Sequence, residues 1–141
     1  MIKNKKSFIV GIKGKKLNRR EITFLKKYKP WGIILFSRNI NSIKQTKNLT
    51  DHIKRIFKDK NYPIMIDEEG GKVSRLTKII DTSLFSQKLF GEMYIKDNKR
   101  FNLYFATYVK QLSYVLTLCG ININTVPVLD VIRKFSSKVL K

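Results

Sequence analysis

Only one cysteine, Cys119, occurs in the 141 residues, so no internal disulfide can form and no oxidising compartment is implied. It sits in the apolar stretch Leu116-Thr117-Leu118-Cys119 and reads as a small packed hydrophobe. Histidine is as scarce: His52 is alone, on a helical segment between Asp51 and Ile53, and reads as a bystander. Acidic residues are few, 10 against 30 Lys and Arg, for a formal charge of +20. Long apolar runs are missing too. Phe8-Ile9-Val10 breaks at Gly11, too short for a signal-peptide core or a membrane span, so a soluble, cytoplasmic protein with no membrane partner is expected.

What is present is enough to fold. Hydrophobic residues make up 43% and aromatics 11%, which argues against disorder, and the length suits a single domain. A basic excess ordinarily points to phosphate or anionic surfaces. Here 23 of the bases are Lys and 7 are Arg, beside 18 Ile and 10 Asn, a bias that an A- and T-rich coding sequence would give to any protein. The bases are dispersed, and the densest run, Lys13 to Lys16, holds three Lys. A nucleic-acid binder would interleave bases with exposed aromatics on one face, whereas Tyr104 and Tyr108 fall on an apolar stripe. A basic, non-enzymatic binding module for nucleic acid or another anionic polymer is thus the alternative reading, and a Lys-rich solvated surface the favoured one.

Four segments read as short apolar strands: Ser7 to Gly11, Gly32 to Phe36, Tyr62 to Asp67 and Ile121 to Asp130. Near-continuous apolar runs of this kind suit a parallel sheet covered on both faces. Asn18-Arg19-Arg20-Glu21 has capping-box spacing and opens a helix carrying Ile22, Leu25 and Tyr28. Ser42-Ile43-Lys44-Gln45 repeats the device before a helix with Ile43, Leu49, Ile53 and Ile56 near one face. A third helix is expected from about Lys99 to Leu118, stopping at Gly120, with extra chain between Gly70 and about Asn98. Strand and helix in alternation specify an α/β fold.

The third strand ends in Ile66-Asp67-Glu68-Glu69-Gly70-Gly71-Lys72-Val73-Ser74-Arg75-Leu76. Three adjacent carboxylates repel one another, so the stretch is either a solvated turn or a site. As a site, Asp67 can accept hydroxyl hydrogen bonds, Gly70 and Gly71 can let backbone pass close to a ligand, and Arg75 can return to donate, a mixture suited to a polyol. A metal is the weaker reading, because successive strand residues point to opposite faces and no second ligand cluster accompanies them. No metal or cofactor is expected.

The stretches "PWGIILFSRNINSIKQTKNLTDHIK", "YPIMIDEEGGKVSRL" and "GININTVPVLDV", in this order and spacing, resemble the N-terminal part of the glycoside hydrolase family 3 barrel, in its bacterial β-N-acetylhexosaminidase branch. The resemblance runs from about Ser7 to Lys141. It implies the N-terminal half of a (β/α)₈ TIM-type barrel, about four βα units, forming one partial domain over residues 1–141. It also implies release of terminal N-acetylglucosamine from cell-wall-derived glycosides through a covalent glycosyl-enzyme intermediate. By this resemblance Asp67 and Arg75 bind the sugar; Glu69, Gly70 and Gly71 are expected as supporting residues, and Asp130 either orients the site or caps local backbone donors at its strand end. Glu68 stands where the family often has Gln, and Lys72 where it often has Arg.

A full barrel needs about 250 residues. The family's Lys-His pair, its His-bearing acid/base loop and its Asp nucleophile have no counterparts in these residues, and Asp67, Glu68 and Glu69 on one strand end cannot straddle a glycosidic bond. No catalytic residue is therefore assigned. The 141 residues by themselves are expected to be inactive, and their open edges to call for a complementary C-terminal half of the barrel or for self-association.

Overall fold

The structure, a computed structural model, describes residues 5–129. Four strands, β1 (Lys6–Gly11), β2 (Pro30–Leu35), β3 (Ile64–Ile66) and β4 (Ile123–Asn124), form one sheet in the order β1-β2-β3-β4, and every pairing is parallel. The expected α/β class and strand order are therefore present, as an arc corresponding to half of a barrel. Helices α1 (Arg19–Tyr28), α2 (Ile43–Phe57), α3 (Gln87–Lys96) and α4 (Asn98–Leu118) connect the strands.

Local chemistry starts these helices where it should. Asn18 Oδ1 accepts from Glu21 N at 2.9 Å and Glu21 Oε2 accepts from Asn18 N at 2.9 Å, the complete capping box. At α2 only half of the device forms. Ser42 Oγ accepts from Gln45 N, but the Gln45 amide donates to Lys15 O and Asn39 O and so ties the β1–α1 loop to the end of β2. Helix α3 lies within the stretch expected to be extra chain. Its signal was only the cap Ser86, since Leu89 stands where a capping box has Glu and Gly91 weakens the helix.

The pleat sorts the strand residues into two faces. Val10, Ile33 and Ile64 align in register, as do Leu35 and Ile66, and these pack with Leu25, Leu49, Ile53, Leu112 and Leu116 into one core beneath the helices. Ile34 and Met65 align on the opposite face and remain partly open, and Ile9 there is 43% exposed. The strands are thus covered on one face, not both as their continuous apolar runs suggested.

The fourth strand is shorter than the expected Ile121 to Asp130. Its ladder is partly built from side chains: Ile64 N donates to Asn122 Oδ1 at 2.8 Å and Glu68 N to Asn124 Oδ1 at 2.9 Å. Pro127 has no N–H to extend the ladder, and Asp130 lies outside the described residues. The turn into β4 depends on Gly120, whose φ is +74° and where a Cβ would sit 2.3 Å from Thr50 Oγ1.

Candidate functional site: the carboxyl ends of the strands

In a parallel α/β sheet, ligands meet the loops at the strands' carboxyl ends. Here those ends bring together Phe36 and Arg38 after β2, Asp67 and Arg75 after β3, and Thr125 after β4. Asp67 continues the open-face parity of Met65, so its carboxylate emerges at the mouth of the arc with 29% of the side chain exposed. The Thr125 hydroxyl donates to Asp67 Oδ1, and Arg75 Nη2 lies 4.0 Å from Oδ2. The Arg75 guanidinium stands 5.9 Å and that of Arg38 4.5 Å from the centroid of the Phe36 ring. Arg38 is held by a 3.0 Å bond from Nε to Ile12 O, whereas Arg75 Nε is buried with no acceptor among the described residues. The pair therefore combines an acceptor and a donor with unused hydrogen-bonding capacity.

Glu68 has the other parity and a different task. It is 1% exposed. Its Oε2 accepts from Arg75 N at 2.6 Å and Leu76 N at 2.9 Å, and its Oε1 from the Thr82 hydroxyl at 2.6 Å. Backbone bonds to Asn124 clamp it to β4. Glu68, which stands where the family often has Gln, thus adds no charge to the open face: it is a buried anchor that sets where Arg75 leaves the loop. Glu69 lines an apolar groove beside α3 and α4, and its N–H donates to Val73 O at 3.0 Å.

Gly70 and Gly71 have φ of +76° and +60°, and a Cβ on Gly70 would lie 2.2 Å from Phe85 O. The closest approach at these glycines is thus to the chain's own Phe85-Ser86 entry to α3. Asn39, buried, accepts from Phe36 N at 2.9 Å and donates to Ile12 O and Gly14 O, fixing the loop that carries Phe36 and Arg38. Sequence reasoning assigned no role to Phe36, Arg38, Asn39, Thr125 or Asn124, although the stretches ILFSRN and GININT contain them. His52 lies on α2, remote in sequence from these loops. Among the described residues, no group of three or more His, Cys, Asp or Glu side chains is placed to hold a metal ion, and no helix is long and apolar enough to cross a membrane.

No family model matches the chain. It is 38% identical to a beta-hexosaminidase of Neisseria meningitidis serogroup C over 100 residues, covering 70% of this chain and 27% of that protein. To the beta-hexosaminidase of Alkalilimnicola ehrlichii it is 31% identical over 130 residues, 91% of this chain and 36% of the relative. Its fold matches the crystal structure of NagZ from Neisseria gonorrhoeae in complex with zinc ion at a TM-score of 0.78 and 28% identity, over 89% of this chain and 38% of that one. The same protein in complex with N-trifluoroacetyl-D-glucosamine matches at 0.74 and 30% identity, covering 89% and 37%. A glycoside hydrolase family 3 beta-N-acetylglucosaminidase from Paenibacillus matches at 0.64 and 26% identity, covering 84% and 22%. The chain belongs to glycoside hydrolase family 3. It corresponds to the N-terminal barrel region of the family's β-N-acetylhexosaminidase branch. The family 3 proteins it matches are longer: it spans 27% to 36% of the two hexosaminidases above.

Proposed function

We propose that the strand-end face of this chain is the sugar-binding part of a β-N-acetylglucosaminidase site. The reading rests on one observation: Asp67 emerges at the mouth of the arc, steadied by Thr125, with the Arg75 guanidinium 4.0 Å away. A partly exposed carboxylate beside a guanidinium pairs with vicinal sugar hydroxyls and an acyl oxygen, the groups that a terminal N-acetylglucosamine presents. The N-trifluoroacetyl-D-glucosamine complex of the Neisseria gonorrhoeae relative supports the substrate class. Membership in the bacterial branch supports a cell-wall-derived glycoside, handled in the cytoplasm during peptidoglycan recycling.

In this reading residues 1–141 are one partial barrel domain. Thr125 orients Asp67, and Glu68, Gly70 and Gly71 hold the loop that presents Arg75. Retaining hydrolysis needs a nucleophile and a proton donor about 5 Å apart across the anomeric carbon. Glu68 cannot serve, because both of its carboxylate oxygens are engaged by the loop. The 141 residues alone therefore bind sugar without turning it over, and a complementary barrel half or a second copy covers the open arc.

Titration of the 141-residue chain with N-acetylglucosamine, followed by amide NMR shifts, tests the site. Shifts centred on Asp67, Arg75 and Thr125 that disappear in Asp67→Ala are expected. Shifts elsewhere, or none, overturn the reading. Release of a chromophore from a β-N-acetylglucosaminide by this chain alone, abolished by a change at Glu68 or Glu69, would show that these acids do chemistry of their own.

A further inference from the structure

Hydrogen bonds fix where the Arg75 side chain begins but not how it ends. Its backbone N–H donates to Glu68 Oε2 at 2.6 Å, so the loop sets the starting point. Beyond it, Nε is buried with no acceptor among the described residues, and Nη2 stands 4.0 Å from Asp67 Oδ2, too far for a hydrogen bond. Charge attraction over that distance keeps the guanidinium near Asp67 but sets no plane for it. A donor that serves a ligand needs a plane, because the guanidinium N–H groups point along fixed directions.

The Phe36 ring is placed to set that plane. Its centroid lies 5.9 Å from the Arg75 guanidinium carbon, within reach of the negative charge on the ring face. Phe36 shares the open-face parity of Ile34 and follows Leu35, which pairs with Ile66, so it stands one row along the sheet, beside Asp67. The ring is itself held. The Arg38 guanidinium lies 4.5 Å from the same centroid and is tied through Nε to Ile12 O at 3.0 Å. Gly11 leaves room for the ring edge, since a Cβ there would lie 3.1 Å from Phe36 Cε2. The Phe36 N–H donates to Asn39 Oδ1 at 2.9 Å.

We propose that Phe36 is a positioning residue for sugar binding: its ring seats the Arg75 guanidinium beside Asp67 in the orientation that donates to the sugar. Arg38 and Gly11 act through the ring, one by clamping it and the other by making space for it. An aliphatic side chain would fill the same space without presenting a negative face, which separates this role from packing. The bearing on sugar rests on the sugar-binding reading above, whereas the seat itself does not.

Two measurements on the isotope-labelled 141-residue chain test this together. One is the Arg75 Nε–H resonance, identified by its absence in Arg75→Lys; the other is titration with N-acetylglucosamine. Phe36→Leu removes the aromatic face and keeps an apolar side chain, and Phe36→Tyr keeps the face. In Phe36→Leu the Nε–H resonance should move as the ring current is lost, and N-acetylglucosamine should bind about five- to tenfold more weakly, the fold-change of a partly desolvated cation–π contact. Phe36→Tyr should hold both at their wild-type values. Gly11→Ala leaves Phe36 intact but sets a methyl group against the ring edge, and should move the same resonance; it decides the matter if the amide spectrum shows that Phe36→Leu does not fold. A resonance unmoved in both variants overturns the seat. A resonance that moves while sugar affinity stays constant overturns the positioning role, as do equal losses in the Leu and Tyr variants. If the wild-type chain shows no N-acetylglucosamine shifts, the sugar-binding reading and the part of Phe36 in it fail together, while the resonance still reports whether the ring seats Arg75.

Discussion

Glu68 Oε1 accepts a hydrogen bond from the Thr82 hydroxyl at 2.6 Å, joining the end of β3 to a residue fourteen positions on. The same carboxylate takes the N–H groups of Arg75 and Leu76. Replacing it with Ala leaves the N–H groups of Arg75 and Leu76 without an acceptor, while the Thr82 hydroxyl can still turn to Ser74 Oγ at 2.8 Å, at a cost of about 2 kcal/mol or more. Glu68→Gln keeps one acceptor oxygen and should cost about half as much. Urea denaturation of both variants gives the comparison, and sugar binding should fall with stability because Arg75 is presented by the same loop.

Asp67 should behave in the opposite way. Its side chain is partly exposed, with Thr125 and a 4.0 Å approach from Arg75 as its contacts. Asp67→Ala should change stability by less than about 1 kcal/mol while abolishing the N-acetylglucosamine shifts. Equal stability losses at Asp67 and Glu68 would contradict the division of labour between the adjacent acids.

Two glycines offer a contrast in backbone demands. Gly70→Ala places a Cβ 2.2 Å from Phe85 O at a φ of +76°, so it should lower stability by about 2 to 4 kcal/mol. At Gly91, within α3, an Ala side chain meets nothing within 4 Å and should raise stability by about 0.5 to 1 kcal/mol through helix propensity. Thermal melts of the two variants should move in opposite directions.

Asp59 links stability to pH. Lys5 Nζ donates to Asp59 Oδ2 at 3.0 Å, and this bond holds the carboxyl below its ordinary value. A depressed folded-state value means that the stabilisation is fully present above the ordinary carboxylate range and is lost as pH falls through the folded value. Asp59→Asn should therefore cost up to about 1 kcal/mol at neutral pH and progressively less in acid. A difference that stays constant down to strongly acidic pH would contradict this origin.

Cys119 is buried and its backbone carbonyl accepts from Thr50 Oγ1 at 2.8 Å. Burial pushes the thiol above its ordinary value, so both access and thiolate formation are suppressed. Ellman's reagent at mildly alkaline pH should label the chain only as it unfolds, and fast labelling under native conditions would show that the α4–β4 junction opens.

Much of the arc was legible in the sequence, because periodicity and capping are local properties. The Asn18–Glu21 box and the order of four apolar strands appear where their spacing put them. Helix α3 was not legible, since Gly91 and an incomplete capping signal hide it, and Phe90 finds its ring partners on α4 and at Phe85, outside the helix itself. At the site, the stretch from Asp67 to Arg75 announced itself by its clustered charge, yet Phe36, Arg38 and Thr125 could join it only through the parallel pairing of β2, β3 and β4.

Residue spacing along the chain determined the α/β class and the strand end at which the acids stand, and the resemblance of the chain's motifs to family 3 implied the order β1-β2-β3-β4. Tertiary structure alone decided which of two adjacent carboxylates is free. The pleat turns successive side chains to opposite faces, so the parity that places Ile64 and Ile66 beneath the helices sends Glu68 into the interior to hold a loop, while Met65 and Asp67 face the open side. Which parity faces inward depends on where α1, α2 and α4 pack, and no count of residues along one strand contains that information.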